Sequence, residues 1–356
     1  MGLKILHSGD FHLDSPFAGF PEKTRAMLRQ AQRRLPEELV RLCREAQAQL
    51  VLLAGDVFDG PYSRQTAALL AQCLEDCAVP VLIAPGNHDF VSPASPWQQE
   101  LWPENVHVFR GNLSYVDLEE LDCRVYGAGY TSMDCPGLLE NFRGERAFAH
   151  TVGVFHGDAV SGKSPYCPVT AGQVAASNLD YLALGHIHKG GSFTAGNTLC
   201  AWPGCPMGRG WDETGRKGML LAELGETVTL KTLPVRSPAF LEETVDITLE
   251  GPQALQRVLP PVDTGDLYRV TLTGRGSPDP EAIRAQFSYL ENLELRDRTR
   301  PPLDPWAYVG ENSLRGVYMG LLKEKYDRSQ PEEAETAYLA AELAARLLEG
   351  EEVALP

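Results

Sequence analysis

Five of the eight histidines stand just beyond short apolar segments of strand length: His12, His88, His156, His186 and His188. Equivalent places hold Asp10, Asp56 and Asn87. Imidazole, carboxylate and amide donors together suit Mn²⁺, Fe²⁺ or Zn²⁺ better than Mg²⁺ or Ca²⁺. Each residue alone is also explained as a core or helix-capping residue. As an ordered set they predict two metal ions that share one carboxylate, with seven ligands, Asp10, His12, Asp56, Asn87, His156, His186 and His188, and with His88 as a spare imidazole.

The segment Leu50-Val51-Leu52-Leu53-Ala54 stops at Gly55-Asp56 and is wholly apolar, which is typical of a buried parallel strand. We expect further strands over residues 4–7, 80–85, 152–155 and 181–184, and helices over residues 22–47 and 64–77. Strand, helix and strand in this order form a βαβ unit, whose site lies at the carboxyl edge of the sheet. The candidate ligands follow the strands and would meet at that edge.

Spacing by two predicts how pairs of ligands converge. Asp10 and His12 are two residues apart, as are His186 and His188, so in extended backbone each pair would point to one face. His7 belongs to the first strand itself, where a packed histidine is favoured over a metal ligand.

The composition limits the class of protein. A chain of 356 residues is long enough for two domains, one of them with a full α/β core. The formal charge of −16 is unlike the basic surface of proteins that bind nucleic acid through its phosphates, so a phosphate-containing substrate must be attracted locally.

Eight cysteines without a C-x-x-C pair predict free, mostly buried thiols. Without an apolar run of membrane length or a signal peptide, we expect a cytoplasmic protein and no membrane contact.

Five motifs resemble a known family. They are Asp10-x-His12, Gly55-Asp56-x-x-Asp59, Gly86-Asn87-His88-Asp89, His156-Gly157 and Gly185-His186-x-His188, and in this order they match the calcineurin-like metallophosphoesterases. Within that superfamily, the segment after His12 and the later Trp202-Pro203-Gly204 resemble the DNA-repair exonuclease branch of the SbcD and YhaO type. The resemblance implies an α/β fold with a β-sandwich flanked by helices, followed by a small α+β cap domain and C-terminal helices.

The resemblance also implies roles. Asp10, His12, Asp56 and His188 would hold one ion, and Asp56, Asn87, His156 and His186 the other, most often Mn²⁺. His88 would then protonate the leaving oxygen, and Asp59, three residues after Asp56, could hydrogen-bond His88 and favour its charged form. Proteins of this branch cleave DNA, work with a coiled-coil ATPase of the SMC type and commonly form homodimers.

The sequence departs from the family at two places. Some members of the nuclease branch carry His where this chain has Asp59, and Cys205 follows Trp202-Pro203-Gly204 where Ser is expected. Gly60-Pro61 and Asp89 argue against the phosphoprotein phosphatase branch. Asp59 in place of a Tyr ligand argues against the purple acid phosphatases.

The organisation that we expect is a catalytic domain over residues 1–235, a cap domain over 236–295, and a linker with C-terminal helices over 296–356. Residues 294–312 are rich in Arg and Pro and predict a linker, and helices follow over 313–326 and 331–349. The second helix carries an apolar stripe, Tyr338, Leu339, Leu343, Leu347 and Leu348, which either packs on its own protein or docks a partner.

The sequence favours a DNA exonuclease subunit. Two alternatives stay open, and the acidic surface would suit the first of them better than a DNA exonuclease. One is a hydrolase of a small nucleotide or another phosphodiester. The other is a subunit whose main role is to hold an ATPase partner.

Overall fold

The computed structural model describes residues 2–159, 163–301 and 303–350. Met1 and residues 160–162 of the predicted catalytic domain lie outside the described residues, as do Pro302 and residues 351–356 of the predicted C-terminal segment. The chain forms two compact units, Met1–Leu241 with Gly265–Leu267, and Glu242–Thr264 with Tyr268–Pro356. The predicted three-part division of the chain stays a prediction.

The first unit contains two six-stranded sheets. In spatial order the first sheet consists of β12 (Val228–Pro234), β11 (Gly218–Leu224), β1 (Leu3–Ser8), β2 (Leu50–Leu53), β3 (Val81–Ile83) and β4 (Val106–Val108). The second consists of β5 (Ser114–Leu118), β6 (Cys123–Gly127), β7 (His150–His156), β8 (Tyr181–Gly185), β10 (Thr198–Gly204) and β9 (Lys189–Ala195). The strands β1 to β4 pair in parallel, as do β6, β7 and β8.

Among its described residues this unit has five α-helices: α1 (Glu22–Arg33), α2 (Leu35–Ala46), α3 (Arg64–Asp76), α4 (Pro96–Gln99) and α5 (Ala171–Ala176). The prediction of one helix over residues 22–47 is wrong, because the helix is interrupted at Arg34. Pro36 lies in the first turn of α2 and has no N–H to donate to the carbonyl of Gln32, as a continuous helix would require.

Alternating side chains build the layers. Leu50 and Leu52 of β2 pack in a core shared with residues of the second sheet, whereas Val51 and Leu53 pack in a core shared with the helices. Both faces of the strand are covered, which is why the segment is apolar throughout. A third core joins the second sheet to α5 through residues such as Phe155 and Val174. The result is the predicted α/β sandwich flanked by helices.

The second unit carries a three-stranded sheet of β13 (Phe240–Asp246), β14 (Leu267–Thr273) and β15 (Leu293–Asp297). A 3₁₀ helix (Gly251–Arg257) follows β13, and α6 (Pro280–Gln286) lies between β14 and β15. The parallel pairing of β14 with β15 extends regular structure into the segment predicted as a linker.

Two final helices, α7 (Leu314–Arg328) and α8 (Pro331–Leu348), confirm the two predicted there. Their shared core is formed by Met319, Ala341 and Ala345, with partly buried side chains around it. Four side chains of the predicted stripe are instead exposed: Tyr338 by 40%, Leu339 by 44%, Leu347 by 61% and Leu348 by 44%.

Two other expectations concern the whole chain. All eight cysteines are free and buried, as predicted. Among the described residues, no helix combines the length and the apolarity that crossing a membrane requires.

Candidate metal centre

The predicted ligands meet where the carboxyl ends of the parallel strands of both sheets converge. Asp10, Asp56 and Asn87 follow β1, β2 and β3, while His156 ends β7 and His186 follows β8. The two sheets join directly at this point, because His156 Nδ1 donates to the carbonyl oxygen of Ala54 over 2.9 Å.

The described residues contain three groups of side chains that could hold a metal ion. Within each group every side chain offers one ligand atom, and these atoms lie within 4.8 Å of one another. The groups are Asp10 with His12 and His188, Asp10 with Asp56 and His156, and His12 with Asp56 and His88. Asn87 Oδ1 lies 2.9 Å from His156 Nε2, and the ring centroid of His186 lies 5.1 Å from that of His156. The seven predicted ligands and His88 therefore surround one place, and the third group includes His88, for which the sequence predicts no metal.

The backbone at this place is unusual. Asp10, His12, Asp56 and His186 have φ angles of 52°, 47°, 48° and 90°, and only a few per cent of residues other than glycine have positive φ. Such conformations persist where the surrounding structure enforces them, often at functional sites. The expectation that Asp10 and His12 converge through extended backbone is therefore wrong, since β1 ends at Ser8 and both residues belong to a folded loop.

Two motif glycines are required by close packing. A Cβ atom on Gly55 would lie 2.4 Å from Nδ1 of His156, and one on Gly86 would lie 2.2 Å from Oδ1 of Asp56. Gly55 also has a φ of 87°. Any side chain at either position would displace a predicted ligand, which explains why a glycine precedes the ligand in these motifs.

Three imidazoles are held through Nδ1. His12 donates to Asp59 Oδ1 over 3.1 Å, His188 donates to Glu213 Oε1 over 2.6 Å, and His156 donates to a backbone carbonyl. Anchoring of this kind sets the tautomer and leaves Nε2 as the electron-pair donor, which is the usual support of metal-binding histidines.

The free nitrogens and the carboxylates fit a cation. Nε2 of His12 lies 3.1 Å from Nε2 of His188, and in these tautomers both atoms present lone pairs. Asp10 and Asp56 are buried, and desolvation raises the pKa of Asp10. Burial also opposes the charged form of Asp56, but the neighbouring imidazoles lower its pKa overall. Buried carboxylates with imidazole nitrogens beside them are stabilised by a bound cation, so this donor set fits the predicted ions.

The carboxylate of Asp59 contacts two histidines. Its Oδ1 lies 3.1 Å from Nδ1 of His88 as well as from Nδ1 of His12, and Ser15 Oγ donates to Oδ2 over 2.7 Å. Burial favours the neutral acid, but these hydrogen bonds outweigh it and lower the pKa of Asp59. The hydrogen bond to Asp59 in turn raises the pKa of His88, whose side chain is 42% exposed.

Two residues of the site were missed by the sequence analysis. Glu213 accepts from His188, and Arg209 places NH1 3.4 Å from Asp59 Oδ1 and NH2 3.2 Å from Glu213 Oε1. Burial favours the neutral acid of Glu213, but the hydrogen bond to His188 together with the charge and the backbone N–H of Arg209 lowers the pKa of Glu213. Both residues follow the last motif by more than twenty positions, and only the glycines at 208, 210 and 215 mark that segment as a loop.

Two further side chains fix the loops. Asp89 accepts the backbone N–H groups of Gly86 over 2.7 Å and Val57 over 2.8 Å, and so ties the loop after β3 to the loop after β2. Cys205, which stands where the family has Ser, has its Sγ 3.6 Å from Glu213 Oε2.

His7 is buried between Tyr181 and the Leu184 carbonyl, as expected for a packed histidine.

Residues 3–190 match the family model of the calcineurin-like phosphoesterases. The uncharacterized metallophosphoesterase YhaO of Bacillus subtilis (strain 168) is 31% identical over 239 residues, which cover 62% of this chain and 57% of YhaO. A subunit of the nuclease SbcCD of the same organism is 26% identical over 262 residues, which cover 60% of this chain and 64% of that subunit. The structure of TT1561 of Thermus thermophilus is similar with a TM-score of 0.41 and 14% identity, over 65% of this chain and 99% of that one.

The chain spans less than two thirds of the length of either curated relative. The family match covers more than half of the chain and contains all five motifs. It confirms the family that the motifs predicted, and both curated relatives agree with the predicted branch. The chain therefore belongs to the calcineurin-like phosphoesterase family.

Proposed function

We propose that this protein is a metal-dependent phosphodiesterase that acts on DNA as an exonuclease. The observation that carries the proposal is the convergence of seven predicted ligands with the half-exposed imidazole of His88 beside them. Membership of the family implies a metal-dependent phosphoester hydrolase. The 26% identity to a nuclease subunit supports DNA as the substrate.

The seven donors divide into two sets. Asp10, His12, Asp56 and His188 would hold one ion, and Asp56, Asn87, His156 and His186 would hold the other, with Asp56 as the bridge. When bound, two ions such as Mn²⁺ polarise the phosphoryl oxygens and lower the pKa of the attacking water. The contribution of the chain is to hold the donors rigidly, through Asp59, Glu213 and the Ala54 carbonyl behind the three imidazoles.

His88 would supply the proton of the reaction. Its Nδ1 is bound to Asp59, which raises the pKa of His88 and keeps the ring oriented. An imidazolium beside the reacting phosphate donates a proton to the leaving oxygen, a step that an alkoxide of DNA requires and that a phenolate does not. A groove of about 460 Å³ opens beside His88 between Tyr62 and Phe90, where the leaving nucleotide would lie.

The test is hydrolysis with each divalent ion in turn. Linear double-stranded DNA and a small nitrophenyl phosphodiester are incubated with Mn²⁺, Fe²⁺, Zn²⁺ or Mg²⁺, and we expect DNA to be shortened from its ends with Mn²⁺. Cleavage of the small diester without cleavage of DNA would instead favour the second candidate, a hydrolase of small nucleotides or other phosphodiesters. The formal charge of −16 is the observation that favours this candidate.

We also propose an ATPase partner of the SMC type, and that α7 and α8 dock it. Leu314, Val317, Tyr318 and Leu321 are exposed by 88%, 60%, 49% and 62% and follow the spacing of one helix face. On α8, Leu339, Leu347 and Leu348 are exposed as well, and exposed apolar side chains in such number are typical of an interaction site. A role limited to holding this partner is the remaining alternative, and intact docking by a hydrolytically inactive wild-type protein would favour it.

A further inference from the structure

Arg209 lies at the border of the candidate metal centre. NH1 is 3.4 Å from Asp59 Oδ1, and NH2 is 3.2 Å from Glu213 Oε1 and 3.3 Å from His188 Nδ1. Its guanidinium thus spans the two carboxylates that support the imidazoles of His12, His88 and His188. The side chain is 23% exposed, so a ligand can reach it.

The two carboxylates have other partners besides this guanidinium. Asp59 has contacts of 2.7 to 3.1 Å with Ser15, His12 and His88. Glu213 has a contact of 2.6 Å with His188 and accepts the backbone N–H of Arg209 over 2.7 Å. The ion pairs with the guanidinium, at 3.4 and 3.2 Å, are longer than these contacts and leave it able to bind a further anion.

The guanidinium also has a hydrogen-bond donor without a partner among the described residues. It carries five N–H donors, and within the part of the chain that the structure describes, its buried Nε has no acceptor. A buried donor without an acceptor costs free energy, so it points to a ligand that completes the hydrogen bonds. In a chain with a formal charge of −16, a fixed cation beside the metal ligands suits an anion.

The loop around Arg209 is packed tightly. A Cβ atom on Gly208 would lie 2.5 Å from the carbonyl oxygen of Glu213, and one on Gly210 would lie 2.7 Å from Asp212 Oδ1. With its backbone N–H bound to Glu213, the residue is held before any ligand arrives, which lowers the entropy cost of binding.

We propose that Arg209 binds a nonbridging oxygen of the substrate phosphoryl group, so that the site has an anion-binding arginine beside its metal ions. This rests on the proposed phosphodiesterase function. The ligand class is a phosphoryl anion, and the contact would supply the local attraction that the acidic chain otherwise lacks.

The test measures binding of inorganic phosphate to the full chain loaded with Mn²⁺, by titration calorimetry, with metal content determined in parallel. Arg209→Ala is expected to weaken phosphate binding about ten- to a hundredfold, the range for losing hydrogen bonds between charged groups. Arg209→Lys keeps the charge but not the planar fork and is expected to fall between the two. Arg216→Lys is the matched control, because Arg216 pairs with Asp266, and its phosphate affinity should equal that of the wild type.

Metal content separates the outcomes. Unchanged phosphate affinity in Arg209→Ala with both ions retained would overturn the proposal. Loss of metal in both variants, in proportion to the loss of phosphate binding, would also overturn it, because Arg209 would then only hold the ligands in place. Hydrolysis does not enter this measurement, so a wild type that binds phosphate through Arg209 but cleaves no phosphodiester would refute the proposed function and leave this contact standing.

Discussion

Nε2 of His12 lies 3.1 Å from Nε2 of His188, although 176 positions separate the two residues in the chain. Each ring is fixed from behind by a carboxylate, Asp59 for His12 and Glu213 for His188. Two imidazole nitrogens at this distance can share a proton or bind one metal ion between them.

Asp56 is predicted to bridge the two ions, because its Oδ2 lies 3.8 Å from Nε2 of His12 and 3.4 Å from Nε2 of His156, which are predicted ligands of different ions. We expect Asp56→Asn to lose both ions and His12→Ala to lose chiefly one. The measurement is metal content of the purified variants by mass spectrometry. Asp117→Asn, at a residue paired with Arg124, is the control and should keep both ions. Two ions retained in Asp56→Asn would rule the bridge out.

Glu213 is predicted to hold His188 from behind. Glu213→Gln removes the charge from the acceptor of the His188 Nδ1–H, and loss of such a support typically lowers metal affinity about 10–100-fold. Competition with a fluorescent chelator measures that affinity. Glu38→Gln, at a carboxylate bound to Arg41, is the matched control and should leave the affinity unchanged. Equal affinities for Glu213→Gln and the wild type would show that the contact is dispensable.

His88 is predicted to donate the proton to the leaving oxygen. His88→Asn and His88→Ala should keep the fold and both metals but lower turnover by about 10²–10⁴. The loss should shrink for a substrate with a nitrophenolate leaving group, because that group needs no proton. Asp59→Asn should cause a milder form of the same defect, with some loss of metal because Asp59 also holds His12. His107→Ala, at an exposed histidine, controls for loss of an imidazole elsewhere.

The third donor group, which includes His88, gives this prediction its sharpest alternative. Loss of metal in proportion to activity in His88→Ala would make His88 a ligand. Equal losses on activated and unactivated esters, with both metals present, would indicate that His88 positions the phosphate.

His7 is predicted to make stability depend on pH. Burial lowers its pKa to about 3, whereas an unfolded histidine titrates near pH 6.5. Between these values the unfolded state binds a proton that the folded state does not, so stability falls as the pH falls, by up to about 1.4 kcal/mol per pH unit for this group. His7→Gln removes the linkage. Urea unfolding of the metal-free proteins at pH 7.5, 6 and 5 should show the stability advantage of the wild type shrinking toward acid, and a constant difference would contradict this.

The apolar face of α7 is predicted to dock the partner. Val317→Asp and Leu321→Asp change exposed side chains, so the fold, the metal content and the activity on small substrates should stay unchanged while association with an SMC-type ATPase is lost. Deletion of residues 331–349 should have the same effect. Co-purification with the ATPase is the measurement, and Lys325→Asp is a control that places the same aspartate at another position of α7. A deletion variant without bound metal would show that these helices belong to the catalytic core.

The sequence by itself determined which residues were predicted as ligands. Each ligand follows an apolar strand, and parallel strands of a sheet bring their carboxyl ends to one edge. The segment from Leu50 to Leu53 is apolar throughout, so a strand covered on both faces follows from the local pattern. The glycines of the motifs also indicate close packing, since no Cβ atom fits at Gly55 or Gly86.

The tertiary structure decided what local pattern does not encode. Asp10 and His12 converge through left-handed backbone that the packed loops enforce, and not through the extended backbone that their spacing suggested. Glu213 and Arg209 enter the site from a loop after β10, where no spacing relates them to His188 or Asp59. Similarly, the buried face of α8 consists of alanines because close approach to α7 admits only small side chains, which leaves the leucines exposed. Contacts of this kind depend on the distance between elements remote in the chain, and that distance is set by packing and not by the pattern of any one segment.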